Sequence, residues 1–286
     1  MTGPTSEAAR LDFSTFEAQG WEQAALGYDA LVGAVARRLD EGILAAAAIG
    51  PASRVLEIGC GPGHLSGAAA ARGASVVGLD VAQAMVDLAR RRYPAVEVRR
   101  GTAEDLPFAD GRFDAVVGNL VVLHLAQPRA AVVEAARVLG SGGRLVLTTW
   151  DLPERCRLLG VMLEALTAAG ATAAAEIPNG PAFFHFADDA VFAELLSSAG
   201  FRGVSVRRIA FDQTVPTAEA LWDGIVEGSV RTSALIRHQS ADVRDRARAA
   251  LIEALGPYRS VADEPGYRLP VSMKLVSGRR SPVNVN

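Results

Sequence analysis

The segment Val55-Leu56-Glu57-Ile58-Gly59-Cys60-Gly61-Pro62-Gly63 decides how this chain is read. Its first half, within Arg54–Ile58, is a short apolar run around one acid, the composition of a buried strand. Gly59, Gly61 and Gly63 follow at once, and small residues then continue in a helical pattern to about Arg72. A glycine-rich turn between a strand and a helix lets backbone N–H groups approach a ligand closely, because no Cβ stands in the way. The pattern is E-x-G-x-G-x-G and not the dinucleotide fingerprint G-x-G-x-x-G. Asp80 closes the next apolar run, Ser75–Asp80, about 20 residues on, where an acid can grip both hydroxyls of a ribose.

Outward from this turn, strand and helix patterns alternate. Ala82–Arg92 reads as a helix ended by Pro94, Val96–Arg100 and Phe113–Asn119 as strands, Pro128–Leu139 as a helix, Gly142-Gly143 as a turn and Arg144–Trp150 as a strand. Such alternation builds parallel βαβ units and a doubly wound sheet. Upstream, residues 1–11 are small and polar and are expected to fray. Phe13–Ala48 is helical in pattern, with Gly20, Gly27, Gly33 and Gly42 as candidate breaks and Gly50-Pro51 as its end. Downstream, Leu152–Ala175 reads as a helix and Pro178–Phe186 as a loop. Asp188 or Asp189 caps a helix that Gly200 stops, and Val204–Asp212 reads as a strand. Residues 216–262 are mostly helical in pattern before a last strand, Leu269–Gly278. An insert of that length between two strands that would otherwise form a hairpin is expected to be functional.

Composition narrows the class. Of 286 residues half are hydrophobic and only 6% aromatic, with Ala, Val and Leu dominant, which suits helices packed on strands better than a β-sandwich. The net charge is −3 and the basic residues are dispersed, so no stripe tracks a phosphate backbone and nucleic acid is not an expected partner. Nearly all basic residues are Arg, Lys274 being the only lysine, a bias that fits a high-GC genome rather than a chemical need. Cys60 and Cys156 give neither a disulfide framework nor a zinc spacing, and no metal is expected. The longest apolar stretch, Ile43–Ala48 with its flanks, falls short of the ~20 residues that span a bilayer, and no leader pattern opens the chain. The expectation is a cytoplasmic protein without membrane contact, acting on a small molecule as a monomer or homodimer.

Linked segments point further. Val55–Gly63, then Leu79-Asp80 with Ala84-Met85, then Gly101-Thr102-Ala103-Glu104-Asp105-Leu106-Pro107-Phe108, then Phe113–Val117 with Asn119, then Gly142–Leu145 before Trp150 stand in order along the chain. In that order they resemble the motifs of class I S-adenosylmethionine-dependent methyltransferases, in particular the small-molecule group related to ubiquinone and menaquinone biosynthesis enzymes. The resemblance covers about residues 21–150 closely and the C-terminal part more weakly. It implies a Rossmann-like α/β fold: a seven-stranded, mostly parallel sheet with an antiparallel last strand and helices on both faces. Residues 1–50 would supply cap helices, 51–151 the cofactor-binding core, and 152–286 the rest of the sheet with an acceptor-site lid at about 216–262.

The implied cofactor is S-adenosyl-L-methionine, with Glu57, Gly59, Gly61, Asp80, Met85, Ala103, Glu104, Asn119 and His124 around it. Glu57 would orient the loop or meet the ammonium group, and Ala103 and Glu104 the adenine edge. In the resembling enzymes a Tyr of an N-terminal helix closes over the methionine end; Tyr28 either does this or packs, with Trp21, onto the core. His124 and His185 are the candidate catalytic bases, although methyl transfer from an activated donor needs a base only when the acceptor must lose a proton early. His64 is expected to start the first helix of the core and His238 to lie on the surface. Trp21, Phe183, His185, Trp222 and Arg231 are the acceptor-side candidates, and Arg231 or Arg237 either holds a carboxylate or phosphate or makes surface salt bridges.

The sequence after the fourth core strand, Asn119-Leu120-Val121-Val122, lacks the Asn-Pro-Pro-Tyr type of tetrapeptide found in amino-group methylases of DNA and protein glutamine. No Asp/Asn cluster suggests a catechol-type magnesium site. The expected reaction is methylation of a small organic acceptor, a hydroxyl of a secondary metabolite first and a carbon of a quinone- or terpenoid-like substrate second. A cyclase on the same fold that does not methylate is a third reading. A nicotinamide-dependent oxidoreductase would need a Tyr/Lys pair, and Lys274 lies far along the chain in a strand.

Overall fold

A computed structural model describes residues 7–173, 177–260 and 265–281. In chain order its elements are helix α1 (Glu7–Ala24), a 3-10 turn at Tyr28–Ala30, α2 (Val32–Arg37), α3 (Asp40–Ala46), strand β1 (Arg54–Ile58), α4 (His64–Ala71), β2 (Ser75–Asp80) and α5 (Gln83–Arg92). Then come β3 (Glu97–Arg100), β4 (Phe113–Gly118), α6 (Pro128–Val138), β5 (Leu139–Trp150), α7 (Arg157–Ala168) and α8 (Asp189–Ser197). The described chain closes with β6 (Phe201–Val215), α9 (Ala218–Gly228), α10 (Arg231–His238), α11 (Ala241–Ala254) and β7 (Tyr267–Arg280).

The strands form one seven-stranded sheet in the order β3-β2-β1-β4-β5-β7-β6. β1 to β5 are parallel, and β7 runs antiparallel to both of its neighbours. Alternation along each strand sorts the side chains into two layers. Val55, Val76, Val117 and Val146 join the core with α2 to α5, α7 and α9, whereas Leu56, Val77, Val116 and Leu147 join α6 and α8 on the other face. This is the Rossmann-like arrangement that the motifs imply. After β1 the chain builds β2 and β3 to one side and then returns to place β4 on the other. That reversal opens a crevice beyond the carboxyl ends of β1 and β4, where ligands of such sheets bind.

Several element boundaries differ from the sequence pattern. Residues 7–11, expected to fray, are the first turns of α1, while residues 1–6 lie outside the described residues. Gly20 does not break α1; a Cβ there would meet Val230 Cγ1 at 2.2 Å, so the glycine serves close packing of α1 on the segment before α10. β5 already begins at Leu139, and the Gly142-Gly143 turn is an irregular stretch of it, after which the register with β4 resumes at Ala115↔Arg144. α7 starts at Arg157, because Leu152–Cys156 form a turn around Pro153; the expected end at Ala175 is outside the described residues. Asp188 caps α8 as expected, its carboxylate accepting from the Ala190 and Val191 N–H groups.

The insert after β6 becomes α9, α10 and α11; residues 261–264 are not described. α9 lies against the Tyr28–Ala30 turn and α2, and α11 packs along α7. A buried polar knot ties the antiparallel ribbon together. Asp151 is fully buried and accepts from Ser272 Oγ and Arg208 Nε at 2.8 Å each. Lys274 is 3% exposed, with its ammonium 2.5 Å from Asp189 and 3.9 Å from Asp151.

Candidate active site

The crevice is a groove of about 900 Å³ floored by the ends of β1, β2 and β4 and bounded by α1. Its walls include Tyr28, Gly59, Gly61, Asp80, Met85, Ala103, Glu104, Asn119 and His124, together with Trp21 of α1. A smaller chamber of about 310 Å³ adjoins it beneath the glycine turn, lined by Asp40, Glu57, His64 and Cys60 among others. Tyr28, Gly59, Gly61 and Asn119 are walls of both.

The turn itself needs glycine. Gly59, Gly61 and Gly63 have φ of +64°, +50° and +84°, a region that residues with a Cβ rarely adopt. A Cβ on Gly59 would also stand 2.4 Å from Val121 Cγ2. Asp80 holds the turn from the next strand. One carboxylate oxygen accepts from the Gly61 N–H at 2.8 Å and the other from the Ala82 N–H at 2.9 Å. Each oxygen keeps a further lone pair. Burial raises the Asp80 pKa, and these backbone bonds offset only part of that.

Beneath the turn the site is acidic. Glu57 is 2% exposed, accepts a hydrogen bond from the Ser66 hydroxyl, and has its pKa pushed well up by burial. Asp40 has its pKa raised to about 7 by burial, and its Oδ1 is buried with no partner among the described residues. The Tyr28 phenol is held protonated by burial and by the charges of Glu57, Asp29, Asp80 and Asp40. Asp29 behaves differently: burial opposes its ionisation, yet bonds from His64 Nε2 at 2.8 Å and Arg92 at 2.5 Å keep its pKa low. His64 does begin α4, and it also ties that helix to the Tyr28-Asp29 turn and to Tyr93.

On the far side, Glu104 turns inward to the protein rather than leaving its carboxylate free. It accepts from the Ala126 N–H at 3.1 Å, the Gln127 N–H at 3.3 Å and the Thr102 hydroxyl. Asn119 is spanned between the Ala36 carbonyl at 3.0 Å and the Thr148 hydroxyl at 2.7 Å. Leu120 follows with φ +57°, a left-handed conformation rare for a branched residue and fixed here by its N–H bond to Thr148. This bend leads the chain from β4 to His124. His124 Nδ1 lies 2.9 Å from Glu17 Oε2 of α1, and its ring meets Trp21 edge-on at 5.0 Å. Glu17 is 2% exposed and its other oxygen is unpartnered among the described residues.

Comparison with known proteins agrees with this geometry. A family model described as "Methyltransferase domain" matches residues 56–147. A demethylmenaquinone methyltransferase of Beutenbergia cavernae is 33% identical over 167 residues, covering 56% of this chain and 70% of that protein. The chain is a class I S-adenosylmethionine-dependent methyltransferase. A malonyl-[acyl-carrier protein] O-methyltransferase of Serratia marcescens is 34% identical to this methyltransferase over 132 residues, 46% of this chain and 51% of that one. Two other relatives are matched over only 32% and 26% of their own lengths. A solved structure described as a putative methyltransferase of Bacillus halodurans shares the fold, with a TM-score of 0.54, 22% identity and coverage of 85% of this chain and 98% of that one.

The methyltransferase's groove fits the family's cofactor. The lone pairs left on Asp80 suit two ribose hydroxyls, and the unpartnered Asp40 oxygen in the acidic chamber suits an ammonium group. Met85, Ala103 and Leu125 give an apolar slot for a flat ring. The acceptor-side candidates are brought together only in part. Trp21 lines the groove beside His124. Trp222 does not line it: it is 2% exposed inside the core, with Arg248 stacked over its ring. His185 lies in a 3-10 turn against Phe186 and outside the groove, because the loop that carries it packs toward α8. Phe183 and Arg231 line a separate chamber. Glu17 and Asp40 were not singled out from sequence, since each reads as an ordinary polar position of a helix. A helical-period count that put Glu17 on the apolar face with Phe13 would have found the first.

Proposed function

We propose that this methyltransferase methylates an oxygen of a small, largely apolar acceptor, a secondary metabolite, in the cytoplasm, with His124 as the base. The pairing of His124 with buried Glu17 in the groove wall carries this reading. A carboxylate only accepts hydrogen bonds, so Glu17 holds the proton on Nδ1 and leaves Nε2 as the basic nitrogen. Trp21 packed on the ring keeps it from turning away. When bound, S-adenosylmethionine supplies a methyl group activated by its sulfonium, so this chain's residues need only orient the acceptor, exclude water and take its proton. The roof of α1 over the groove serves the second task. The relative named as an O-methyltransferase supports an oxygen acceptor. The relative named for demethylmenaquinone supports a quinone-type acceptor as the second reading. No described helix is long and apolar enough to cross a membrane.

The test incubates the protein with methyl-13C-labelled cofactor and a panel of hydroxylated apolar compounds and demethylated quinones. The expected product is one methylene heavier, with its label on oxygen by NMR. His124→Asn should slow its formation by roughly 10²–10⁴-fold while leaving S-adenosylhomocysteine affinity within about threefold. A label found only on ring carbon would transfer the assignment to the quinone class. Turnover without change of mass would end the methylation reading.

A further inference from the structure

A second chamber of about 970 Å³ lies between α7, the Pro178–Phe186 loop and α10. Leu159, Met162 and Leu163 of α7, Leu235 of α10 and Phe184 of the loop make it apolar. Among the described residues one charged side chain lines it, Arg231. The guanidinium is stacked between the Phe13 ring at 5.5 Å and the Phe183 ring at 5.6 Å. Its Nη2 donates to the Pro181 carbonyl at 2.9 Å. Among the described residues its Nη1 is buried and has no hydrogen-bond partner. A buried cationic donor left unpaired is costly and is retained where something else completes it. Burial accordingly lowers the Arg231 pKa, with only Glu17 acting against that.

We propose that this chamber is a binding site for an apolar organic acid, whose carboxylate pairs with Arg231 and whose chain lies along α7. A planar guanidinium already fixed by two rings and a carbonyl, with Nη1 still unpartnered, is the kind of donor that a carboxylate pairs with. Stacking also means that little side-chain freedom is lost on binding. The chamber backs onto the reaction groove. Phe13, which Arg231 stacks on and which seals against Gly180, is one helical turn from Glu17 on α1, and Glu17 lines the groove. A Cβ on Gly180 would stand 2.0 Å from the Phe13 ring, so the partition between the two spaces depends on that glycine.

Calorimetric titration with decanoate and with decan-1-ol tests the site, because the two share a chain and differ in charge. Decanoate should bind saturably at one site per chain and at least tenfold more tightly than the alcohol. Arg231→Gln should reduce decanoate to the level of the alcohol, and Arg231→Lys should recover part of the difference. Leu163→Trp, which fills the chamber without touching the cation, should abolish binding of both. S-adenosylhomocysteine titrated into each variant reports that the fold is intact, and its failure to bind the unaltered protein would count against the methyltransferase site and not against this one. Equal binding of acid and alcohol, or decanoate binding indifferent to Arg231→Gln, overturns the proposal.

Discussion

Glu17 Oε1, Asp40 Oδ1, Arg231 Nη1 and Thr149 Oγ1 are the buried side-chain atoms left without partners among the described residues, and the first three belong to chamber walls. A fold that satisfies nearly all its buried polar groups leaves such atoms where a ligand completes them. Asp40 gives this a pH signature. Its pKa is raised from 3.8 to about 7 by burial, so folding favours the protonated acid. The resulting stability is complete below about pH 4 and is lost as pH rises through 7. Thermal melts from pH 4.5 to 8 should show Asp40→Asn gaining on the unaltered protein by on the order of 3 kcal/mol toward the alkaline end. S-adenosylhomocysteine affinity should rise several-fold over pH 6 to 8 in the unaltered protein and stay flat in the variant. Asp80→Ala removes the acceptor of two backbone N–H groups as well as the ribose partner. It should lower cofactor affinity at least tenfold and cost about 1–3 kcal/mol of stability, both readable by titration and melting.

The glycine turn and the roof helix act as elements. Gly59→Ala forces a Cβ into a left-handed position already filled by Val121. It should cost about 1–2 kcal/mol from conformation alone, with cofactor affinity falling alongside, and Val121→Ala should restore part of the loss when combined with it. α1 is held down by Glu22, whose two carboxylate oxygens accept from the Gln83 and Ala84 N–H groups at the start of α5. Glu22→Ala should therefore loosen the roof, seen as faster amide exchange in α1 and faster release of bound S-adenosylhomocysteine. The strand–turn–helix at Arg54–Ala71 was legible because its apolar run, its glycines and its small-residue helix are all local. Glu17, Glu22 and Asp40 were not, because helical polar residues reach the site only through packing of distant segments. Trp222 and His185 were misplaced for a related reason: an aromatic residue carries the same sequence signal whether it walls an open space or fills a core.

At the level of the whole molecule, the parallel βαβ core was legible in the alternation of strand and helix patterns, the antiparallel last strand came only with the family resemblance, and the strand order came from the structure. The lengths of β6 and β7 were not legible. Arg207, Arg208 and Asp212 interrupt the apolar signal along an edge strand, although thirteen paired positions join the ribbon from Phe201↔Arg280 to Val215↔Tyr267. The same ribbon has a use at the bench. Lys274, the only lysine in the sequence, is sealed between Asp151 and Asp189, so acylating reagents that target lysine reach its amine only when the edge of the sheet opens. Mass-tag labelling of Lys274 over time thus becomes a clock for that opening. Every covalent coupling through lysine, whether to a surface, a dye or a cross-linker, should leave the native enzyme nearly untouched at this residue and mark the molecules that have begun to unfold.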